Sequence, residues 1–130
     1  MISWPITFTT YNGEKLTETF MFNLSKAELI KMQFDVNGAF SQYIERITNE
    51  RNLKQLGEEF TKLILNSYGK KSDDGRRFLK SDELREEFAQ SEAYSELLVQ
   101  LLSDSDAAAR FMKGILPADL QAADEEAPKA

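Results

Sequence analysis

The first 22 residues alternate between apolar and polar side chains, and this alternation restricts the fold more than any other feature of the sequence. Every second position is apolar in a first run, Trp4, Ile6 and Phe8. In a second run, Leu16, Phe20 and Phe22, only Glu18 interrupts this spacing. A period of two is typical of a β-strand with one buried face. Because Asn12 and Gly13 separate the runs, the sequence predicts a β-hairpin over residues 2–22.

The register of this hairpin depends on the length of its loop. A two-residue loop would pair Phe8 with Thr17 and place the two apolar sets on opposite faces of the sheet. A three-residue loop over residues 11–13, with Gly13 left-handed, instead pairs Phe8 with Leu16. We predict this second register, whose further pairs are Trp4 with Phe20, Ile6 with Glu18, and Ile2 with Phe22.

The signals for a helix start follow the hairpin directly. Ser25 is an N-cap residue type, and Glu28 three positions later completes a capping box. Leu24 and Leu29 flank this box at the spacing of a hydrophobic staple. We therefore predict that the first helix begins after Ser25.

Apolar residues at steps of three and four predict the other helices. These helices are predicted over residues 40–47, 50–68, 82–88, 94–102 and 107–113. The second is followed by a left-handed Gly69 and the last ends at Gly114. Ser81 caps the third, and Ser91 is a cap or a bend before the fourth. The segment from Lys70 to Lys80 is predicted to be a loop with a tight turn at residues 72–75.

Together these elements predict an α+β, mainly α fold, in which an N-terminal β-hairpin is followed by about five amphipathic helices. A chain of 130 residues has the usual size of one domain. We predict a single globular domain over residues 1–117, with the hairpin at 2–22 and the helical part at 25–116. Residues 118–130 have almost no apolar bulk and are predicted to form a disordered, mobile acidic tail.

The composition argues against catalysis. The chain has no cysteine and no histidine, which excludes disulfides, thiol nucleophiles, zinc–thiolate sites and the commonest general base. Neighbouring carboxylates such as Glu86 and Glu87 point about 100° apart on a helix and lie among Lys and Arg on its polar face. We expect no enzyme activity, no cofactor and no metal.

Charge and hydropathy argue against two other classes of partner. The net charge of −6 is unfavourable for nucleic acid, because phosphate binding depends on clustered positive charge. No apolar run reaches the roughly 18 residues of a membrane helix, and residues 1–5 lack the features of a signal peptide. We expect a cytoplasmic protein that binds other proteins.

A basic segment is the clearest candidate for a binding surface, because five positive residues between positions 70 and 80 would attract an acidic partner. Cations behind a helix C-terminus are also favoured by the helix dipole alone, so this structural explanation stays open. The predicted protein-binding residues are Lys70, Lys71, Arg76, Arg77, Phe78, Lys80, Tyr94 and Leu98. Helix-in-groove binding and strand addition to the hairpin are two further modes of peptide capture.

Several segments resemble the tail assembly chaperones of long-tailed, siphovirus-type bacteriophages. They are Tyr11-Asn12-Gly13, residues 22–29, residues 67–69, residues 72–81 beginning with Ser72-Asp73-Asp74-Gly75, residues 83–88, residues 92–97, and a last group made of residues 107–109, Phe111 and Gly114-Ile115-Leu116-Pro117. The resemblance covers nearly everything except the acidic tail. It implies a chaperone that binds the long, helical tape measure protein, keeps it soluble and helps recruit tail tube subunits.

The resemblance also implies where and with what the chain works. It implies action in the host bacterial cytoplasm, absence from the mature virion, and a frameshifted longer form of the chain as a further partner. Two other functions stay open, an acidic DNA mimic that inhibits a host DNA-binding protein and a structural subunit of the tail. The oligomeric state, including a homo-oligomer, is also left open by the sequence.

Overall fold

A computed structural model of the protein describes residues 1–31 and 52–117. The strands in these residues are β1 (Ile2–Thr9), β2 (Lys15–Phe22), β3 (Tyr68–Lys71) and β4 (Phe78–Leu79). The helices are α1 (Lys26–Lys31), α2 (Leu53–Ser67), α3 (Asp82–Ala89), α4 (Glu92–Ser103) and α5 (Ser105–Gly114). This is the predicted α+β, mainly helical fold. The predictions for residues 40–47 and for the tail at 118–130 lie outside the described residues.

The N-terminal hairpin has the predicted register. β1 and β2 are antiparallel, with Phe8 opposite Leu16. In the loop, the N–H group of Gly13 donates to the Thr10 carbonyl over 2.9 Å, and Gly13 has φ of 87°. This left-handed residue closes a three-residue loop, which keeps the apolar residues of both strands on one face of the sheet.

The hairpin is part of a larger sheet that was not predicted. The four strands form an antiparallel sheet in the order β1-β2-β3-β4. The prediction of a loop over residues 70–80 is therefore wrong, because Lys71 pairs with Phe78 across a second hairpin. Its tight turn was predicted correctly, and the Gly75 N–H donates to the Ser72 carbonyl over 2.9 Å. Strands of four and two residues are too short to show an alternating pattern.

Gly69 has a different role from the predicted one. α2 ends at Ser67, and Gly69 lies within β3 instead of adopting a left-handed conformation behind the helix. A Cβ atom at this position would lie 2.6 Å from the Leu79 carbonyl oxygen and 2.6 Å from the Phe78 ring. The close approach of β4, and not an unusual φ, thus requires glycine here.

The predicted N-caps of α1 and α3 are present. The Ser25 N–H donates to the Glu28 carboxylate over 2.9 Å, and the Glu28 N–H donates to the Ser25 hydroxyl over 3.2 Å. The Ser81 hydroxyl accepts from the Leu84 N–H over 3.1 Å. Each cap satisfies backbone donors that the first helical turn leaves free, so the sequence fixes these two boundaries locally.

The last two helices are separated by a single residue. Asp104 follows α4 and caps α5, where its carboxylate accepts from the N–H groups of Asp106 and Ala107, both over 3.1 Å. α5 therefore begins two residues earlier than predicted. Ser91 occupies the N-cap position of α4 but does not cap it with its side chain, since the Ser91 hydroxyl donates instead to the Phe88 carbonyl over 2.7 Å.

Aromatic rings join the helices to one face of the sheet. Phe22 is fully buried at the end of β2, and its ring centroid lies 5.8 Å from Tyr68, 5.8 Å from Phe88 and 5.1 Å from Phe111. Trp4 of β1 also packs edge-on against Phe111, at 5.5 Å. These rings come from three strands and two helices, so their burial links elements that are distant in sequence.

Candidate functional site

Four of the predicted binding residues form an exposed cationic surface. Lys70, Lys71, Arg76 and Arg77 are all solvent-exposed on β3 and in the turn that connects it to β4. None of them forms an ion pair with any residue in the described ranges. We call residues 68–79 the basic hairpin, and its four cations are free to meet an acidic group.

Three other predicted residues are only half exposed. The Tyr94 hydroxyl is hydrogen-bonded to the Thr61 hydroxyl over 2.8 Å, and the Tyr94 ring lies 6.0 Å from Phe88. Leu98 packs against the hydrophobic core, and Phe78 is partly buried on β4. Each of these side chains therefore offers only part of its surface to a partner.

Lys80 forms hydrogen bonds within the domain. Its Nζ atom donates to the Glu28 carboxylate over 2.5 Å, to the Asn23 carbonyl over 2.6 Å and to the Asn66 carbonyl over 2.7 Å. These acceptors belong to the β2–α1 link, to α1 and to the last turn of α2. Because an ammonium group has three protons, the three bonds leave Lys80 no donor for a partner.

Both members of this ion pair have shifted pKa values. Burial favours the neutral form of Glu28, but the hydrogen bonds from Lys80 and Ser25 outweigh that effect and lower the pKa of Glu28 below its ordinary value of 4.5. Burial lowers the pKa of Lys80 as well, against the opposing influence of the Glu28 carboxylate. The charged pair is therefore the form that the folded protein holds at neutral pH.

Replacing Glu28 with glutamine should change how stability depends on pH. A carboxyl group with a lowered pKa in the folded state contributes stability above its unfolded value, and this contribution is lost as the pH falls below about 4.5. The stability difference between wild type and E28Q should be on the order of 1 kcal/mol near pH 7, allowing for solvent screening, and should shrink in acid. Urea unfolding across this pH range measures it, and a pH-independent difference would contradict the assignment.

A separate apolar groove lies between α2, α4 and α5. It has a volume of about 240 Å³. Among the described residues, its lining includes Leu56, Phe60, Leu101, Leu102, Ala108 and Met112, together with Ser103 and Ser105. Helix-lined apolar grooves of this kind bind the apolar face of an amphipathic helix.

Two exposed apolar residues lie one helical turn from residues that line this groove. Leu53 lies one turn before Leu56 on α2, and Val99 lies one turn before Leu102 on α4. Their exposed fractions are 65% and 61%, whereas Phe60 at the inner end of the α2 stripe is 3% exposed. An apolar surface that continues from a groove into solvent is typical of an interaction site.

Sequence reasoning did not find this groove, because its lining residues share their periodicity with the core. Leu56 and Leu101 follow the same steps of three and four as the fully buried Leu63 and Leu97. One usable signal was Val99, which directly follows the apolar pair Leu97 and Leu98 in the predicted helix and so lies beside them on its surface. An apolar residue beside a stripe widens the apolar face beyond what the core needs.

The free edge of β1 is less suited to capture a peptide. The Thr10 N–H donates to the Glu14 carbonyl, so by the alternation of antiparallel ladders the odd-numbered residues of β1 direct their backbone groups away from β2. Pro5 occupies one of these outward positions and has no N–H to donate. Strand addition at this edge is thus less favourable than the binding of a helix in the apolar groove.

The described residues contain neither a cluster of metal-binding side chains nor a helix that could span a membrane. Within residues 1–31 and 52–117, no three acidic side chains are grouped so that they could hold a metal ion. In the same part of the chain, no helix has the length and apolar character needed to cross a bilayer.

An α+β domain with an apolar, helix-lined groove and an exposed basic hairpin has the features of a protein-binding module. Comparison with family models specifies the kind of module: the chain belongs to the phage tail assembly chaperone family, whose model matches residues 1–130. No curated protein and no solved structure matches the chain. Its partners are therefore proteins of tail assembly.

Proposed function

We propose that this protein binds the tape measure protein, keeps it soluble and helps recruit tail tube subunits around it. Family membership supports a role in tail assembly, and the apolar groove supports the kind of client. A long helical protein exposes apolar faces before it is packed into a tail, and such faces aggregate unless they are covered. The observation that carries the proposal is the exposure of Leu53 and Val99, each one helical turn from a residue that lines the groove.

The proposed role needs no catalysis. Binding an apolar helix uses shape and burial, and the absence of histidine and cysteine from the chain agrees with a non-enzymatic protein. We propose that the protein acts in the host cytoplasm, together with a frameshifted longer form, and leaves before the virion matures. Mass spectrometry of purified virions tests the last point, and stoichiometric presence there would support a structural tail subunit instead.

Charge placed beside the groove should abolish solubilisation of the tape measure protein. In the variant Leu53→Glu/Val99→Glu, two exposed apolar residues become carboxylates that lose hydration on contact with an apolar helix. We expect the affinity for a tape measure fragment to fall on the order of tenfold or more. The measurements are the soluble fraction of the co-expressed tape measure protein and the binding isotherm of the purified fragment.

Ile30→Glu is the matched control, because Ile30 is an exposed apolar residue on α1 that does not line the groove. Both variants should keep wild-type thermal stability, since the substituted side chains are already in solvent. Equal solubilisation by wild type, the groove variant and the control would show that the client binds elsewhere. A tape measure protein that precipitates equally with and without wild type would refute the chaperone function itself.

A further inference from the structure

The basic hairpin carries positive charge on both of its faces. Lys70 pairs with Leu79 and Lys71 pairs with Phe78, and successive residues of a strand point to opposite faces. Both lysines are exposed, so the charges flank a narrow ribbon and do not form one flat patch. A short acidic segment of polypeptide can contact both faces of such a ribbon.

Neither Asp73 nor Asp74 in the turn forms an ion pair with these cations within the described ranges. The Asp74 carboxylate accepts a hydrogen bond from the Ser72 hydroxyl over 2.7 Å and another from the Arg76 backbone N–H over 3.0 Å. Asp74 is thereby used to shape the turn. The guanidinium groups of Arg76 and Arg77 form no ion pair within the described ranges.

The same chain contains a segment of complementary charge. Residues 118–130 include four acidic residues, Asp119, Asp124, Glu125 and Glu126, and one basic residue, Lys129. The four carboxylates of this segment equal in number the four cations of the basic hairpin that form no ion pair within the described ranges. The remainder of the protein is acidic as well, so the basic hairpin is the attractive region for this segment.

The structure places Ile115, three residues before this segment, near the base of the basic hairpin. The Ile115 carbonyl accepts from the Leu24 N–H over 2.7 Å, and the preceding residue, Asn23, accepts from Lys80 just after β4. Thirteen residues can span up to about 43 Å when extended. A tether of this length also gives an effective concentration in the millimolar range, so that weak ion pairs suffice for occupancy.

We propose that residues 118–130 bind the basic hairpin of the same molecule, where they cover Lys70, Lys71, Arg76 and Arg77 until an acidic partner displaces them. The inference concerns the basic hairpin and not the apolar groove, so it is independent of the proposed tape measure function. Nucleic acid is a poorer occupant, because it has no tether that raises its local concentration against a protein whose net charge is −6.

Zero-length cross-linking of the full chain tests the contact. A carbodiimide joins a lysine amine to a carboxylate only when the two groups are in contact, so Lys70 and Lys71 should cross-link to acidic residues of the 118–130 segment. Raising NaCl to about 1 M shortens the screening length to about 3 Å and should reduce these products several-fold. Lys15 and Lys62, exposed elsewhere, are the internal controls.

A variant with a neutral tail provides the second test. Asp119→Asn/Asp124→Asn/Glu125→Gln/Glu126→Gln changes no described residue, and it should shift the backbone amide resonances of residues 70–77 at low salt. A polyglutamate peptide should bind this variant several-fold more tightly than wild type, because the competing segment has lost its charge.

The outcomes separate the proposal from its alternatives. Cross-links confined to the basic hairpin within single chains, together with the resonance shifts, support it. Cross-links spread evenly over Lys15, Lys62 and Lys70, or hairpin resonances and polyglutamate affinity unchanged by tail neutralisation, overturn it. If mixed ¹⁴N and ¹⁵N samples show the cross-links only between different chains, the segment binds a second copy and the intramolecular assignment is wrong.

Discussion

Lys80→Met should lower the free energy of unfolding by about 2–4 kcal/mol. The substitution keeps an unbranched side chain of similar length but removes the donor shared by Glu28, Asn23 and Asn66. Removing one partner of a buried ion pair leaves the other charge without compensation. The expected loss is below the largest measured values because the Glu28 side chain, 33% exposed, can regain some hydration.

The matched control is Lys62→Met, which removes a lysine on α2 whose side chain is 67% exposed and whose contact with Glu59 measures 4.0 Å. That variant should change stability by no more than about 0.5 kcal/mol. Urea denaturation of both variants measures the difference. In E28Q/K80M the loss should be smaller than the sum of the two single losses, since the groups interact directly. Equal stability of K80M and K62M would show that Lys80 does not hold the domain together.

Phe22→Ala should be the most destabilising single change in the sheet, at about 3–5 kcal/mol. The Phe22 ring is fully buried and touches Tyr68, Phe88 and Phe111, so its removal leaves a cavity bordered by both the sheet and the helices. For a domain of this size the melting temperature should fall by roughly 10–20 °C. Calorimetry or circular dichroism on heating measures this change.

Two variants serve as controls for Phe22→Ala. Phe20→Ala removes an identical ring from the same strand and face, but Phe20 is only half-buried, so its loss should cost clearly less. Phe22→Leu fills most of the cavity and should also be milder. If Phe20→Ala and Phe22→Ala destabilise equally, burial in the aromatic cluster does not determine the effect.

The two predictions differ in how well the sequence could have anticipated them. The burial of Phe22 follows from its place in the alternating pattern of β2, which the sequence shows directly. The role of Lys80 does not, because from the sequence alone it is one of five cations in a basic segment. Its partners Glu28 and Asn23 are 52 and 57 positions away, and only the folded chain brings them together.

The residues of the candidate site also differ in whether the sequence could reveal them. Lys70, Lys71, Arg76 and Arg77 were recognisable from the sequence because exposed charge needs no tertiary partner to be noticed. The apolar groove was not recognisable, because a leucine that lines a groove and a leucine in the core follow the same helical period. Whether a stripe is covered depends on how the helices pack, and packing is a property of several elements at once.

The sequence by itself determined the register of the first hairpin and the caps at Ser25 and Ser81. These features depend on groups only a few residues apart in the chain, or on the rule that both strands must bury the same face. Tertiary structure alone decided that β3 and β4 extend the sheet, that Gly69 must lack a side chain, that Lys80 joins distant segments, and that α2, α4 and α5 form an apolar groove. The sheet extension, the Lys80 contacts and the groove depend on how whole elements pack, and the requirement for Gly69 depends on a β3–β4 pairing whose strands are too short to show a pattern.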